Sequence, residues 1–544
     1  MSSTMFPISF EAPRPGLYAW LAGILAAPIL SFLLAYFYYV PNTIKDPRRR
    51  HLPPGPRGLP FIGNMLDLAD SDQVRHKVRG WHARYGAIFH TKIGGSDYIW
   101  LSSPRTVKDL MDKRSSIYSS RAALPLAQDV ASGGRRQLFL PYGPRWRQIR
   151  RHGHALLSAT AATRYQPIQD YESKQLLAEM LAAPGEFYQI NRRYAASVIM
   201  LSTYGKRVRS WDEPVMRRVF AVIDNLTEMT APGAHAVDSF PGLAGWPEWL
   251  LGGWRRFGRR VFEHDSEVYL GLWRELKEEV DRGVARDCFC KEFYLNDPEK
   301  SGIDELSAAY TCGGLVEAGS ETTASTLNNF ILCMTLFPEA MRTAQEEIDR
   351  VVGPDRLPQW EDEQKLPYTR ALIKEVLRWR PVNKFGMTHA SSEDDWYEGF
   401  FIPKGSVVVL NWWAIHMDPS IHKDPEHFDP ARYLNKPLGA AEYLNTSDPY
   451  ERDHFTYGAG RRVCQGIHLA ERSLYINIVR TLWGFNITKK IDSEGKEIEP
   501  DCGMVRGFLS VPNPFLTDIK PRSEKHAEII RTSFEEAEKE GLNY

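Results

Sequence analysis

The chain lacks any surplus of charge: its 544 residues hold 68 Lys and Arg against 68 Asp and Glu, a formal net charge of zero. That balance removes the electrostatic case for nucleic-acid binding, which needs a basic face. No run of like charge suggests an acidic or basic tail. Cysteine is scarce and irregularly spaced, at 288, 290, 312, 333, 464 and 502. A chain of this length does not need disulfides to hold a core, so a reducing compartment is the simpler account. The Cys288/Cys290 pair has no second pair or histidine cluster to complete a zinc site. Also absent is a Gly-x-Gly-x-x-Gly fingerprint after a strand. Gly458-Ala459-Gly460 has no third glycine, so no flavin or nicotinamide domain is expected. Length alone allows about three to four domains, but no linker, repeat or low-complexity segment interrupts the chain between residue 65 and about residue 515.

One long stretch lacks charge altogether. Between Arg14 and Lys45 there is no charged residue, and Leu17 to Val40 is apolar, long enough for a hydrocarbon core that needs about 20 residues. Trp20 at one end and Tyr36, Tyr38 and Tyr39 at the other suit the interfaces. A cleaved signal peptide would have an apolar region of about 7 to 15 residues and a small-residue cleavage site, so an uncleaved anchor is the better reading. Lys45, Arg48, Arg49 and Arg50 follow it while only Arg14 precedes it, which keeps the bulk of the protein cytosolic. The sequons at Asn225, Asn445 and Asn486 are then inert. The expected organisation is a tail (1–16), a transmembrane anchor (17–40), a basic and proline-rich connector (41–64) and one catalytic domain (65–544). Pro53, Pro54, Pro56 and Pro60 make the connector stiff and extended.

Beyond the connector most of the pattern is helical. Ile303 to Phe337 reads as one helix closed by Pro338, Pro338 to Val352 as a second, and Thr369 to Trp379 as a third ended by Pro381. Strands are sparse: Ser406 to Leu410, with short pieces at Phe385 to His389 and Phe508 to Val511. Lys525 to Gly541 is charged, helix-prone and expected on the surface. The fold class is mainly α with small β-sheets.

Phe455 to Gly466, FTYGAGRRVCQG, carries the chemistry. Cys464 sits in a loop crowded by Gly458, Gly460 and Gly466, directly before a helical run from Ile467. Glycines let a backbone approach a flat macrocycle and take up turns closed to other residues. A helix starting after the cysteine offers free N–H groups and a positive dipole end, both favouring thiolate over thiol. A thiolate opposite dioxygen pushes electron density onto an iron and helps break the O–O bond. Arg462 is placed to pair a haem propionate. A lone cysteine is ordinarily an inert core residue; the glycines and arginines at this spacing argue otherwise.

The segment resembles the haem-binding loop of the cytochrome P450 family. Gly460, Arg462, Cys464 and Gly466 match its pattern, and Tyr457 stands where phenylalanine is usual, keeping an aromatic ring over the loop. The resemblance implies the cytochrome P450 fold behind a single N-terminal transmembrane helix, and haem b with an axial thiolate from Cys464. In KEVLR, Glu375 and Arg378 share a helix face. With Arg432 of PEHFDPARY the resemblance makes them a buried triad supporting the cysteine loop. Ala318-Gly319-Ser320-Glu321-Thr322-Thr323 is similar to the family's acid–alcohol pattern, with Glu321 as acid and Thr322 as alcohol. Cleaving dioxygen needs two protons delivered into an apolar pocket, and such a pair can relay them. Gly319 and the hydroxyl could open a local groove for dioxygen. Trp146 and Arg150 of WRQIR match the family pattern in which both reach a propionate, and His389 either reaches the other or is a satisfied structural histidine.

The matched motifs run from Pro53 to Cys464, so the resemblance covers nearly the whole chain. It implies electrons from NADPH–cytochrome P450 reductase, with cytochrome b5 as an optional helper, at the endoplasmic reticulum membrane. Arg145, Arg147, Arg151, Arg461 and Arg472 are expected to form the basic face that docks an acidic reductase. By analogy the pocket is lined by Ser120–Phe139, Leu315–Thr322, Val382–Met387 and Gly503–Phe508. Leu124, Leu126, Phe385, Met387, Met504 and Phe508 would make it apolar, and Arg506 could anchor a polar group. The phrases RWRPV, DDWYEGFFIPKG and NWWAIHMDP are similar to fungal microsomal monooxygenases of secondary metabolism, of the type near O-methylsterigmatocystin oxidoreductase. That suggests a polyketide, terpenoid or indole skeleton. The alternatives are a haem-thiolate isomerase or dehydratase, a haem sensor or carrier, and a xenobiotic-detoxifying monooxygenase. The first two have little use for a proton relay.

Overall fold

A computed structural model describes residues 28, 29, 31, 46–69, 73–231, 233–505, 507 and 509–541, with the side chains of 155 and 156 left out. The expected tail and nearly all of the expected anchor fall outside these residues. Among the described residues no helix is long and apolar enough to cross a membrane. The main helices around and behind the site are α1 (Pro144–Leu157), α2 (Phe187–Tyr204), α3 (Pro214–Thr230), α4 (Trp254–Asp281), α5 (Glu305–Leu336), α6 (Pro338–Val351), α7 (Pro367–Trp379) and α8 (Ile467–Gly484), followed by α9 (Glu524–Glu540).

Local chemistry explains their ends. Asp304 accepts the Ser307 N–H at 2.8 Å and so starts α5 two residues later than the apolar pattern suggests. Phe337 and Pro338 close α5 and open α6, because proline suits a first helical turn and cannot continue a helix. Pro367 likewise opens α7 ahead of Thr369. α5 is buried along most of its length and packs on α2, α4, α7 and α8 in one apolar core. α9 lies on the surface, with Ala527 and Ile530 turned inward.

The strands are β1 (Ile88–Ile93), β2 (Ser96–Leu101), β3 (His389–Ala390), β4 (Asp395–Tyr397), β5 (Phe400–Ile402), β6 (Val407–Leu410), β7 (Phe485–Lys489) and β8 (Thr517–Pro521). One sheet runs β1-β2-β6-β3, with β2 and β6 parallel and the outer pairs antiparallel; β4-β5 and β7-β8 are separate pairs. Of the strand expected at Phe385–His389 only His389 joins a sheet, because Gly386 takes φ +62° beside Trp412 and turns the chain. At Phe508–Val511 no strand forms among the described residues. Instead Val505 donates to Val511 O (2.8 Å) and Ser510 to Val382 O (2.7 Å).

Candidate active site

The cysteine loop is held from both sides. Gly460 sits at φ +62° and donates its N–H to Asp112 Oδ1 (2.8 Å), and a Cβ there would run into the Met111 carbonyl. Only glycine fits that approach at that angle. Cys464 N–H donates to Tyr457 O at 2.8 Å, and Gly466, at the start of α8, leaves its nearest would-be Cβ contact 4.0 Å from Cys464 Sγ. The Cys464 residue is exposed to a cavity of about 360 Å³. Burial of the sulfur pushes the thiol above its ordinary value, while the Gly466 N–H at the helix start and Arg150 act toward thiolate, the direction expected of a helix start.

Three guanidiniums converge on the same cavity: Arg121, Arg150 and Arg462. Arg462 donates to Ser119 O (2.9 Å) and Leu140 O (2.5 Å), Arg121 to Leu138 O, Met387 O and Thr388 O (2.8 to 3.0 Å), and Arg150 to Val463 O. Among the described residues none of the three meets a carboxylate. Burial, with Arg121 and Arg150 close by, pushes Arg462 down to about 8; burial also takes Arg121 to about 9 and Arg150 to about 10. Buried like charges without counterions are costly, so the donor set calls for a dianion. A thiol and three unpaired guanidiniums around one apolar cleft fit a haem with its two propionates. Trp146 does not line the cavity. It is buried, and the Arg462 and Arg150 guanidiniums lie 4.3 and 5.7 Å from its ring. His389 is also buried behind the wall, its Nδ1 2.9 Å from Tyr118 O, and burial beside Arg121 and Arg462 holds it well below its ordinary value.

α5 forms the opposite wall. Glu321 and Thr322 both line the cavity. Arg192 of α2 donates to Glu321 Oε1 at 2.9 Å, while Oε2 is buried without a partner. Burial raises the Glu321 carboxyl, with Asp224 adding to it and Arg192 opposing. Thr322 Oγ1 donates to Ala318 O (2.8 Å) without interrupting the helix. Gly319 lines the cavity and also admits Ile199 of α2, whose Cγ1 would lie 2.7 Å from an added Cβ; α5 runs through it as unbroken helix.

The expected triad is present and buried. Arg378 donates to Glu375 through Nε (2.7 Å) and Nη2 (2.6 Å), and Arg432 Nε reaches Glu375 Oε1 at 3.1 Å. Arg378 also donates to His416 O (2.9 Å), and His416 Nε2 accepts the Phe455 N–H at 2.9 Å, linking the triad to the cysteine loop. Accepting that bond requires neutral His416. Burial, then nearby cations, depresses His416 well below its usual value, His422 to about 3 and, with Asp453 opposing, His454 to about 4. In the unfolded chain these groups bind protons below about pH 6.5 while the folded chain does not, so stability falls as pH drops through that value, by about 1.4 kcal/mol per pH unit for each group. Denaturant midpoints should therefore be clearly lower at pH 5 than at pH 7; an unmoved midpoint contradicts the buried neutral state.

Arg145, Arg147, Arg151 and Arg461 are exposed and, among the described residues, form no ion pair, whereas Arg472 is partly buried. Arg147 and Arg151 lie one turn apart on α1 and so share a helix face. Reversing Arg147 and Arg151 to glutamate is expected to raise a reductase's KM about tenfold; an unchanged KM removes them from any docking surface.

The apolar lining differs from expectation. Leu138, Val198, Ile199, Ile223, Leu226, Leu315 and Leu509 supply it. Leu124 and Met387 instead pack with Phe139, Leu126 with Trp254, Phe385 on Trp100, and Met504 is buried in the main core. Phe508 and Arg506 lie outside the described residues. Arg121, Arg136, Arg192 and Glu317 were not singled out by the sequence, whose only signal for them was a cation or carboxylate in an apolar stretch.

A sequence model of the family described as Cytochrome P450 matches residues 53–518. The chain is 47% identical over 521 residues to cytochrome P450 monooxygenase verL of Clonostachys rogersoniana, with 95% of each chain covered. It is 40% identical to cytochrome P450 monooxygenase virE of Hypocrea virens, covering 90% of this chain and 88% of that one. It is 36% identical to cytochrome P450 monooxygenase pgmC of Aspergillus terreus, covering 94% of each.

Proposed function

This chain belongs to the cytochrome P450 monooxygenase family, and from that premise we propose that it inserts one oxygen atom of O2 into an apolar organic substrate. The electrons come from NADPH through a cytochrome P450 reductase, with cytochrome b5 as an optional donor. The biological setting is fungal secondary metabolism, on a polyketide, terpenoid or indole skeleton. The observation that carries this reading is one cavity lined at once by a thiol, three guanidiniums without carboxylate partners, and an acid–alcohol pair.

Haem b, when bound, supplies an iron that takes up electrons and activates dioxygen. Cys464 Sγ holds that iron. Arg121, Arg150 and Arg462 neutralise the two propionates, with Trp146 and His389 bracing the arginines from behind and Gly458, Gly460, Gly466 and Tyr457 shaping the loop. Thr322 Oγ1, which lines the cavity while donating to Ala318 O, accepts a proton on its free lone pair and releases its own in exchange. Glu321, whose carboxyl is raised by burial, holds the next proton, and Arg192, with 34% of its side chain exposed, connects it to solvent. The apolar walls exclude water from the reacting centre. Glu375, Arg378 and Arg432 fix the loop and take no part in the chemistry. Residues 65–544 act as one catalytic domain, carried on the cytosolic side of the endoplasmic reticulum by the anchor at 17–40.

The test is co-expression with a reductase, followed by NADPH oxidation and product assays on cell fractions with candidate polyketides, terpenoids and indoles. Activity is expected in the microsomal pellet, with NADPH and dioxygen consumed one for one with product. Thr322→Ala should keep oxidising NADPH while forming product about 100-fold more slowly. Conversion without NADPH and dioxygen would identify an isomerase or dehydratase instead.

A further inference from the structure

The cavity borders a buried charged cluster that the chemistry above leaves unused. Arg136, in the segment before α1, donates through Nη2 to Asp265 Oδ2 of α4 (2.6 Å) and through Nη1 to Glu317 Oε2 of α5. Tyr269 of α4 donates to the same Glu317 oxygen at 2.7 Å, and Asn225 of α3 donates to Asp265 Oδ1 at 2.8 Å. The side chains of Arg136, Asp265 and Glu317 are 2%, 0% and 7% exposed. A purely structural ion pair would be closed on itself, and this one is not. Two carboxylates face one guanidinium, and His264 Nδ1 lies 3.0 Å from Asp265 Oδ1, so the carboxylate left with an unpartnered oxygen is Glu317. Arg136 Nε is buried without a partner, and among the described residues Glu317 Oε1 accepts no hydrogen bond. Both Arg136 and Glu317 line the cavity, whose lining is mostly apolar with a few neutral polar side chains such as Gln137 and Thr311. A charged anchor in such a pocket sets which way a ligand lies.

We infer that Glu317 Oε1 is the orienting contact for the substrate, which is an apolar molecule carrying a hydrogen-bond-donating N–H or O–H group. The inference rests on the reading of this cavity as the monooxygenase pocket. An excess of carboxylate over guanidinium selects donors and disfavours molecules that only accept. Glu317 precedes Thr322 by five residues, about 7.5 Å along the helix axis, so oxidation falls at the end of the molecule remote from the donor.

Ring-matched tricyclic probes test this on purified holoenzyme by titration calorimetry: carbazole (N–H), 9-fluorenol (O–H), 9-fluorenone (acceptor only) and fluorene (neither). A hydrogen bond to a charged group corresponds to about ten- to a hundredfold in affinity. One or both donors are expected to bind that much more tightly than fluorene, and which of them does tells N–H from O–H. Fluorenone should bind like fluorene, and Glu317→Gln should bring the donors to within about threefold of fluorene. Equal binding of all four by the unaltered protein, or tightest binding of fluorenone, overturns the anchor without needing the variant. The carbon-monoxide spectrum of the same preparation reports separately on the parent reading. A missing thiolate band sinks the monooxygenase, whereas a normal band with no donor preference sinks only the anchor.

Discussion

Cys464→Ala should abolish the strongly red-shifted Soret band of the reduced, carbon-monoxide-treated protein and lower turnover by at least about a thousandfold, equivalent to about 4 kcal/mol. Cys464 is the one cysteine that lines the cavity among the described residues; Cys288, Cys290, Cys312 and Cys333 are buried in packed core, and Cys502 lies elsewhere. No neighbouring thiol can take its place. The variant keeps Arg121, Arg150 and Arg462, so it should still take up haem and show an ordinary spectrum. A red-shifted band that survives the substitution would mean the ligand is another residue, and the functional reading would fall with it.

Arg378→Ala should leave little folded protein. Its side chain and that of Glu375 are both 0% exposed, and removing one member of a buried pair strands the other charge at a cost of about 3–5 kcal/mol. Total stability in domains is about 5–15 kcal/mol, so the loss is a large share of it. The bonds from Arg378 to the carbonyls of His416 and Pro425 (2.9 and 2.8 Å) go as well, which loosens the route to Phe455. Arg378→Lys should not rescue, because an ammonium cannot reproduce the bidentate fork and the two carbonyl contacts together. Arg432→Ala removes one 3.1 Å contact to Glu375 and two exposed bonds to the Lys423 and His427 carbonyls, all from a less buried partner, and should cost visibly less. The measurement is the yield of carbon-monoxide-reactive protein alongside its denaturant midpoint. Equal midpoints for Arg378→Ala and the parent would show that the pair is dispensable.

What could be read in advance was what is written locally. The cysteine loop and KEVLR compress their chemistry into a dozen residues or fewer, and the Glu375–Arg378 pair follows from helix geometry alone. α5 is legible because its apolar run is long and both its ends carry a stop signal. Other features depend on partners far away in sequence. Glu317 gains meaning only beside Arg136, 181 residues earlier, and no periodicity marks Arg121 as a neighbour of Arg462. Gly319 both borders the cavity and lets Ile199 pack closely, and one glycine signature does not tell these two uses apart. The segments Leu315–Thr322 and Ser120–Phe139 do line the pocket, whereas Leu124, Leu126, Phe385, Met387 and Met504 do not, because loop side chains have no periodic rule that says which way they face.

The pairing of β2 with β6 sets a timetable for making the protein. Ser102 and Asn411, hydrogen-bonded at 3.0 Å beside those strands, are 309 residues apart. At ribosomal rates that interval lasts about 15 to 60 s. Throughout it the β1–β2 hairpin has emerged with Tyr98, Ile99, Trp100 and Leu101 on an edge whose parallel partner does not yet exist. Unpaired apolar edges recruit other strands, so the nascent chain passes through a window of sticking hazard that ends only when residue 410 clears the exit tunnel. Holding the N-terminal third out of reach of its neighbours during translation is thus a requirement of this topology, and slow elongation before residue 407 should lower the yield of native protein more than the same delay after residue 410.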